Sequence, residues 1–177
     1  FATMHLVTLK SGPLFLVDTL INRNLSAESL VDISVLAAEK VRCFGLQPNI
    51  ALISFSDFGS DDAESSCEAR RAVALLHERY PDLSVDGEMQ IQTALQLAQR
   101  DAKYPQNKLK GKQVNVLVFP RLSAANACYQ LLKAVGNADE VVGPIQVGLA
   151  RPIYFADHDA SVKDIVNITA MASLDSN

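Results

Sequence analysis

Asn126 is the polar side chain best placed to meet a ligand, because of what precedes it in Asn115 to Lys133, NVLVFPRLSAANACYQLLK. An amide in the first turn of a helix that follows a buried strand sits at the carboxyl edge of a sheet, where open α/β proteins hold ligands. The chemistry on offer is hydrogen bonding and orientation, not proton transfer. From spacing alone the plainer role, tidying the helix start, is favoured. Lys108, Lys110 and Lys112 alternate in a polar connection just upstream; contact with a phosphorylated ligand is one use of them, and a solvated loop is the favoured one. His5, His77 and His158 are scattered and make no metal spacing with Cys43, Cys67 and Cys128. His77 reads as solvated surface and His5 as a satisfied sheet residue. The sequence has no G-x-G-x-x-G, no G-x-x-x-x-G-K-[ST] and no G-x-S-x-G, so the common nucleotide cradles and the nucleophile elbow are missing.

Elements that would position these groups follow from the hydrophobic pattern. Val116 to Phe119 is a continuous apolar run suited to a strand covered on both faces. Pro120 ends its ladder for want of an N–H, Ser123 is the expected cap of the next helix, and Leu131 and Leu132 anchor that helix. Met4 to Leu9 and Leu14 to Leu20 read as strands of a hairpin turned at Lys10 to Pro13. A helix is expected from Ser26 to Phe44, with Leu30, Ile33, Ala37 and Val41 on one face and Gly45 as its stop. Ile50 to Ser54 is a second buried strand, Ser66 to Tyr80 a helix, Leu83 to Asp86 a short strand and Met89 to Ala102 a helix. Val141-Val142 and Ile153 to Phe155 read as short strands, and Ser161-Val162-Lys163-Asp164 has the form of a capping box before a last helix. Strands alternating with helices predict a three-layer α/β/α sandwich, mostly parallel, with an antiparallel hairpin at one edge.

Composition narrows the function classes. The 177 residues are 49% hydrophobic and 20% charged, an ordinary globular balance. A net charge of -4 and a pI near 5.3 argue against nucleic acid as a partner. No apolar stretch is long enough to cross a bilayer. Three cysteines without C-x-x-C spacing, each in a helical pattern, read as buried thiols in a reducing cytoplasm. The abrupt start in a strand pattern at Phe1 suggests a piece of something longer.

Four segments in register carry a resemblance. Ser54 to Ser60, SFSDFGS, resembles the S-x-S-x-x-G-S loop of the phosphate acetyl- and butyryltransferases. Asp86 to Gln90 resembles their D-G-x-x-Q, Phe119 to Asn126 their F-P-x-L-x-x-x-N, and Gly143 to Pro152 their G-P-I-x-x-G-x-x-[KR]-P. A finer match, in Asp86 to Met89, Ala124 to Asn126 and Ile165 to Ala170, is to the transacetylase-like domain appended to the C-terminus of bacterial NADP-dependent malic enzymes. The resemblance implies a phosphate acetyltransferase/isocitrate dehydrogenase-like fold, divided as a lobe over residues 1–155 and a C-terminal loop and helix over 156–177 that would pack on the other half of the appended domain. It implies acetyl-CoA or a related acyl-CoA as ligand, bound for regulation and assembly, and self-association as a dimer or larger. NADP and a divalent metal would belong upstream of Phe1.

The resemblance also assigns residues. Ser54, Ser56, Gly59, Ser60 and Asn126 would line the ligand cleft; for each the alternative is a structural role in a sharp turn. Active transferases carry Ser-Arg-Gly before the last helix, where an ungapped alignment places Asp157-His158-Asp159, followed by a retained Asp164. The family's Arg meets a phosphate dianion, whereas a second negative charge ~4 Å away costs about 4 kcal/mol at an effective dielectric near 20. After Gln90 the transferases usually carry Asp where Gln92 stands. The expectation is a degenerate, non-catalytic site at Asp157, His158 and Asp164, with Asp164 reduced to a helix cap. An active acyltransferase and a pure oligomerisation module are the alternatives.

Overall fold

Alternation of side chains along the strands sets the layers. The computed structural model describes residues 1–135, 140–151, 153–156 and 160–174. Its elements are β1 (Ala2–Leu9), β2 (Gly12–Val17), α1 (Ala27–Cys43), β3 (Asn49–Ile53), α2 (Glu64–Arg79), β4 (Ser84–Met89), α3 (Ile91–Leu95), α4 (Leu97–Lys103), β5 (Val116–Val118), α5 (Leu122–Val135), β6 (Glu140–Val147) and α6 (Val162–Leu174). Ile50, Leu52, Val116, Val118, Phe15 and Val17 point to one side, where they meet Leu30, Ala37 and Val41 of α1 and Ala69, Val73 and Leu76 of α2. Their neighbours Ala51, Ile53, Leu117, Leu14 and Leu16 point to the other, against Ala94 of α3 and Ala125 and Tyr129 of α5. A period of two with both faces apolar is what a covered sheet requires. The result is the expected α/β/α sandwich.

The sheet runs β4-β3-β5-β2-β1-β6. Strands β4, β3, β5 and β2 are parallel, and β1 is antiparallel to both β2 and β6. The antiparallel part thus lies at one side, with β6 as the terminal strand. Several boundaries differ from the sequence expectation. β2 ends at Val17, not Leu20, because the Asp18 carboxylate accepts the N–H groups of Leu20, Ile21 and Asn22 and turns the chain out of the ladder. β4 continues through Gly87 and Glu88 to Met89, held by pairing with β3. The single helix expected from Met89 to Ala102 is therefore two shorter ones, broken at Gln96 (φ -95°, ψ 79°). Residues 140–147 form one strand through Pro144, and Ile153 to Phe155 form none. Gly143 and Pro144 stand opposite His5 where the register slips, and a bulge on an outer strand tolerates a missing donor.

Side-chain caps open α1 and α6, whereas α2, α3 and α4 start without one. Ser26 caps α1 by accepting from the Ser29 N–H, and Gly45 closes it at φ +72°. Ser161 and Asp164 make the reciprocal capping box at α6. Ser123 is not a cap: α5 begins one residue earlier, at Leu122. Cys43 and Cys67 are exposed, against the reading of buried thiols, and Cys128 is partly buried where α5 packs on the core. His77 is also corrected, since its Nε2 lies 2.8 Å from the Val85 carbonyl and joins α2 to β4. His5 is buried as expected, stacked on Tyr129 with ring centroids 4.0 Å apart. No helix among the described residues is long and apolar enough to cross a membrane.

Candidate functional site

Three strands and three helices meet at a cleft of about 580 Å³. It opens at the carboxyl ends of β3, β4 and β5, through Ile53, Gln90 and Phe119. The first turns of α2 and α5 reach it with Ser65 and Ala124, and α3 adds Ile91 and Gln92. Phe55, 60% exposed, stands at its lip. Placement at the carboxyl edge follows from the parallel topology: each buried strand ends there and hands over to a loop and a helix start. The lining is mainly apolar surface with hydroxyls, side-chain amides and one guanidinium, that of Arg121.

The serine loop between β3 and α2 is folded around a buried carboxylate. Glu88 Oε1 accepts from Ser56 Oγ at 2.5 Å, from the Gly59 N–H at 2.9 Å and from Arg70 Nη1 at 3.1 Å. The Glu88 carbonyl also accepts the Phe58 N–H. Asp57 holds the other flank, its carboxylate accepting the Gln90 N–H and its own N–H donating to Ser60 Oγ. Gln90 returns a hydrogen bond from its side chain to the Phe55 carbonyl. Of the loop residues expected to meet a ligand, Ser54 lines the cleft, where its hydroxyl lies 2.9 Å from that of Ser66. Ser56 is fully buried beneath the loop, Gly59 turns it at φ +89°, and Ser60 braces it from the solvent side.

The other expected residues sit elsewhere. Asn126 is half-buried and its Nδ2 lies 3.4 Å from the Thr19 carbonyl, joining α5 to the end of β2. Asp164 borders a separate cavity of about 70 Å³ with Tyr129, Lys133 and Gly143. Hydrogen bonds from the Ser161 side chain and backbone, then the nearby Lys133 and Lys163, hold its carboxyl below the usual range. Asp157 and His158 lie outside the described residues. The lysine-rich connection is pinned down: Lys108 donates its N–H to Asp86, Lys112 Nζ reaches Ser84 Oγ, and the buried Arg100 holds the carbonyls of Ala94, Leu109 and Lys112. None of these lysines lines the cleft. Among the described residues no cluster of His, Cys, Asp and Glu could hold a metal ion.

Glu88, Arg70 and Arg121 were not legible as site residues from spacing. Glu88 stands inside D-G-x-x-Q and Arg121 inside F-P-x-L, at positions those patterns leave open. A glutamate in the middle of a strand between apolar residues was the available signal for Glu88, since a buried carboxylate must find donors.

Residues 1–173 match the phosphate acetyl/butaryl transferase family, and the chain belongs to that family. It is 43% identical over 169 residues to the NADP-dependent malic enzyme of Escherichia coli (strain K12), covering 96% of this chain and 22% of that protein, in its C-terminal part. It is 41% identical over 155 residues to the phosphate acetyltransferase of Treponema pallidum, covering 86% of this chain and 46% of that one. The EutD phosphotransacetylase from Staphylococcus aureus superposes with a TM-score of 0.90 at 28% identity, over 99% of this chain and 54% of the other. The chain thus spans about a fifth of the malic enzyme and about half of each transacetylase.

Proposed function

We propose, with that family membership as the premise, that the chain is the C-terminal transacetylase-like domain of an NADP-dependent malic enzyme, and that it binds acetyl-CoA for regulation and assembly without transferring the acyl group. The observation that carries this is the lining of the cleft. Ser54 and Ser65 bring hydroxyls, Gln90 and Gln92 bring amides, and among the described residues that line it no carboxylate, imidazole, thiol or amine stands ready to act as a base. Such a surface binds and orients a thioester; an acyl transfer needs a group to accept and return a proton. The sequence agrees, with Asp157-His158-Asp159 where active relatives carry Ser-Arg-Gly. On this reading Ser54 contacts the ligand directly, Ser56, Gly59 and Ser60 shape the loop over it, and Asn126 supports the wall. Oxidative decarboxylation of malate, with its NADP and divalent metal, belongs to the upstream part of the parent enzyme in the cytoplasm. Self-association draws on α6, whose Val162, Ile165 and Val166 are exposed while Met171 is buried against the lobe.

The alternative is an active phosphate acyltransferase, which the similarity to the Treponema pallidum enzyme favours. Two measurements on the full-length protein separate the readings. Titration calorimetry with acetyl-CoA is expected to show saturable binding. Formation of acetyl phosphate from acetyl-CoA and phosphate is expected to be undetectable; turnover would replace the regulatory reading with the catalytic one, and absence of binding would remove the acetyl-CoA assignment.

A further inference from the structure

Arg121 carries the only formal charge among the described residues that line the cleft. Its loop is fixed on both sides. The Leu25 N–H donates to the Pro120 carbonyl, the Leu122 N–H donates to the Arg23 carbonyl, and Asn24 and Arg121 form an isolated antiparallel bridge. The guanidinium is aimed by a neutral partner, Nη1 donating to Asn24 Oδ1 at 2.6 Å. Its other contact is Glu64 at 3.8 Å, a carboxylate 88% exposed to water and therefore a weak, screened companion. A bond to an amide orients a guanidinium without cancelling its charge, so the fork keeps capacity for an incoming anion. The N-terminal turns of α2 and α5 add partial positive charge on the same side.

Resting on the acyl-CoA reading of the cleft, we infer that Arg121 is its specificity residue and receives a phosphate group of the ligand. The apolar walls, Ile53, Phe119 and Ile91, then take the uncharged acyl-pantetheine portion. Acetyl-CoA suits this arrangement because its negative charge resides on phosphate alone. The serine loop covers the uncharged part, and Arg121 selects the nucleotide end.

The test is the salt dependence of acetyl-CoA binding by the full-length protein and by R121Q and R121K. At low ionic strength R121Q is expected to bind about tenfold more weakly, the loss of one partly exposed charge-assisted contact. Its affinity should also fall less steeply with added salt than that of the parent, because the screened interaction is gone. R121K keeps the charge and should restore the steep dependence with part of the affinity. Unchanged affinity in R121Q overturns the inference, and so does weaker binding with an unaltered salt dependence, which marks a merely structural role. Absence of acetyl-CoA binding by the parent protein overturns the acyl-CoA reading itself, and this inference with it.

Discussion

Lowering the pH should remove about 3 kcal/mol of stability through one side chain, His5. Its ring is 2% exposed, lies on Tyr129, and places Nδ1 2.7 Å from Thr19 Oγ1. Burial first, and Lys133 second, lower its pKa from 6.5 to about 4, while Asp18 opposes them. A folded pKa below the unfolded one means that the unfolded chain binds the extra proton first. The contribution is therefore complete above pH 6.5 and is lost as pH falls from there towards 4. A fall from 6.5 to about 4, at about 1.4 kcal/mol per pH unit, amounts to roughly 3.5 kcal/mol when the loss is complete, about 3 kcal/mol of it by pH 4. Asp18, Asp101 and Asp164 have pKa values lowered from 3.8, so their contributions are lost at still lower pH; that of the exposed Glu28, lowered from 4.5 by its hydrogen bond with Arg79, begins to go only at the foot of the window and is the same in parent and variant. Urea unfolding of the parent and of His5→Asn, at steps between about pH 7 and about pH 4.5, measures the effect. Asn keeps a polar atom near Thr19 and does not titrate. The parent should lose stability more steeply than the variant, by about 1.4 kcal/mol per pH unit in mid-window. Parallel curves, or an NMR titration of His5 centred near 6.5, would refute the reasoning.

Two further substitutions probe the frame of the cleft. Gly87→Ala should destabilise by about 2–4 kcal/mol, since a Cβ there would lie 2.7 Å from the Leu52 carbonyl oxygen at a φ of +146°; a thermal midpoint within a degree or so of the parent would contradict the close approach. Glu88→Ala should cost about 3 kcal/mol by leaving Ser56 Oγ, the Gly59 N–H and Arg70 without their shared acceptor. The released loop should be cut by protease between Phe55 and Ser60 faster than in the parent. Equal cutting rates would show that the loop holds its shape without Glu88.

Much of the frame was legible because it rests on local rules. The runs Ile50 to Ile53 and Val116 to Val118 could only be covered strands, Ser26 and Gly45 bracket α1, and the Ser161–Asp164 box forms as written. The misreadings share a cause: long-range partners outweighed local pattern. Pairing with β3 drew Gly87 to Met89 into β4, and the Asp18 carboxylate ended β2 early. At the site the difficulty was angular. Ala124 lines the cleft, and Asn126, two residues further along α5, is turned by about 200° and meets Thr19 on another side. A motif counted along the chain does not record which way each residue of a helix start faces.

The same helix explains why the inherited positions form two places and not one. Ala124 borders the large cleft, while Tyr129 and Lys133 border the small cavity that contains Asp164. Nine helical steps from Ala124 to Lys133 span about 14 Å along the axis. Asp164 is further committed to Ser161 by hydrogen bonds to both its N–H and its hydroxyl. In the serine loop, Ser56 donates to Glu88 and Ser60 accepts from Asp57, so these hydroxyls serve the loop before any ligand. What remains facing the cleft is apolar wall, amide, the Ser54 and Ser65 hydroxyls and the Arg121 guanidinium. On the proposed reading, that set holds a thioester by its ends without attacking it.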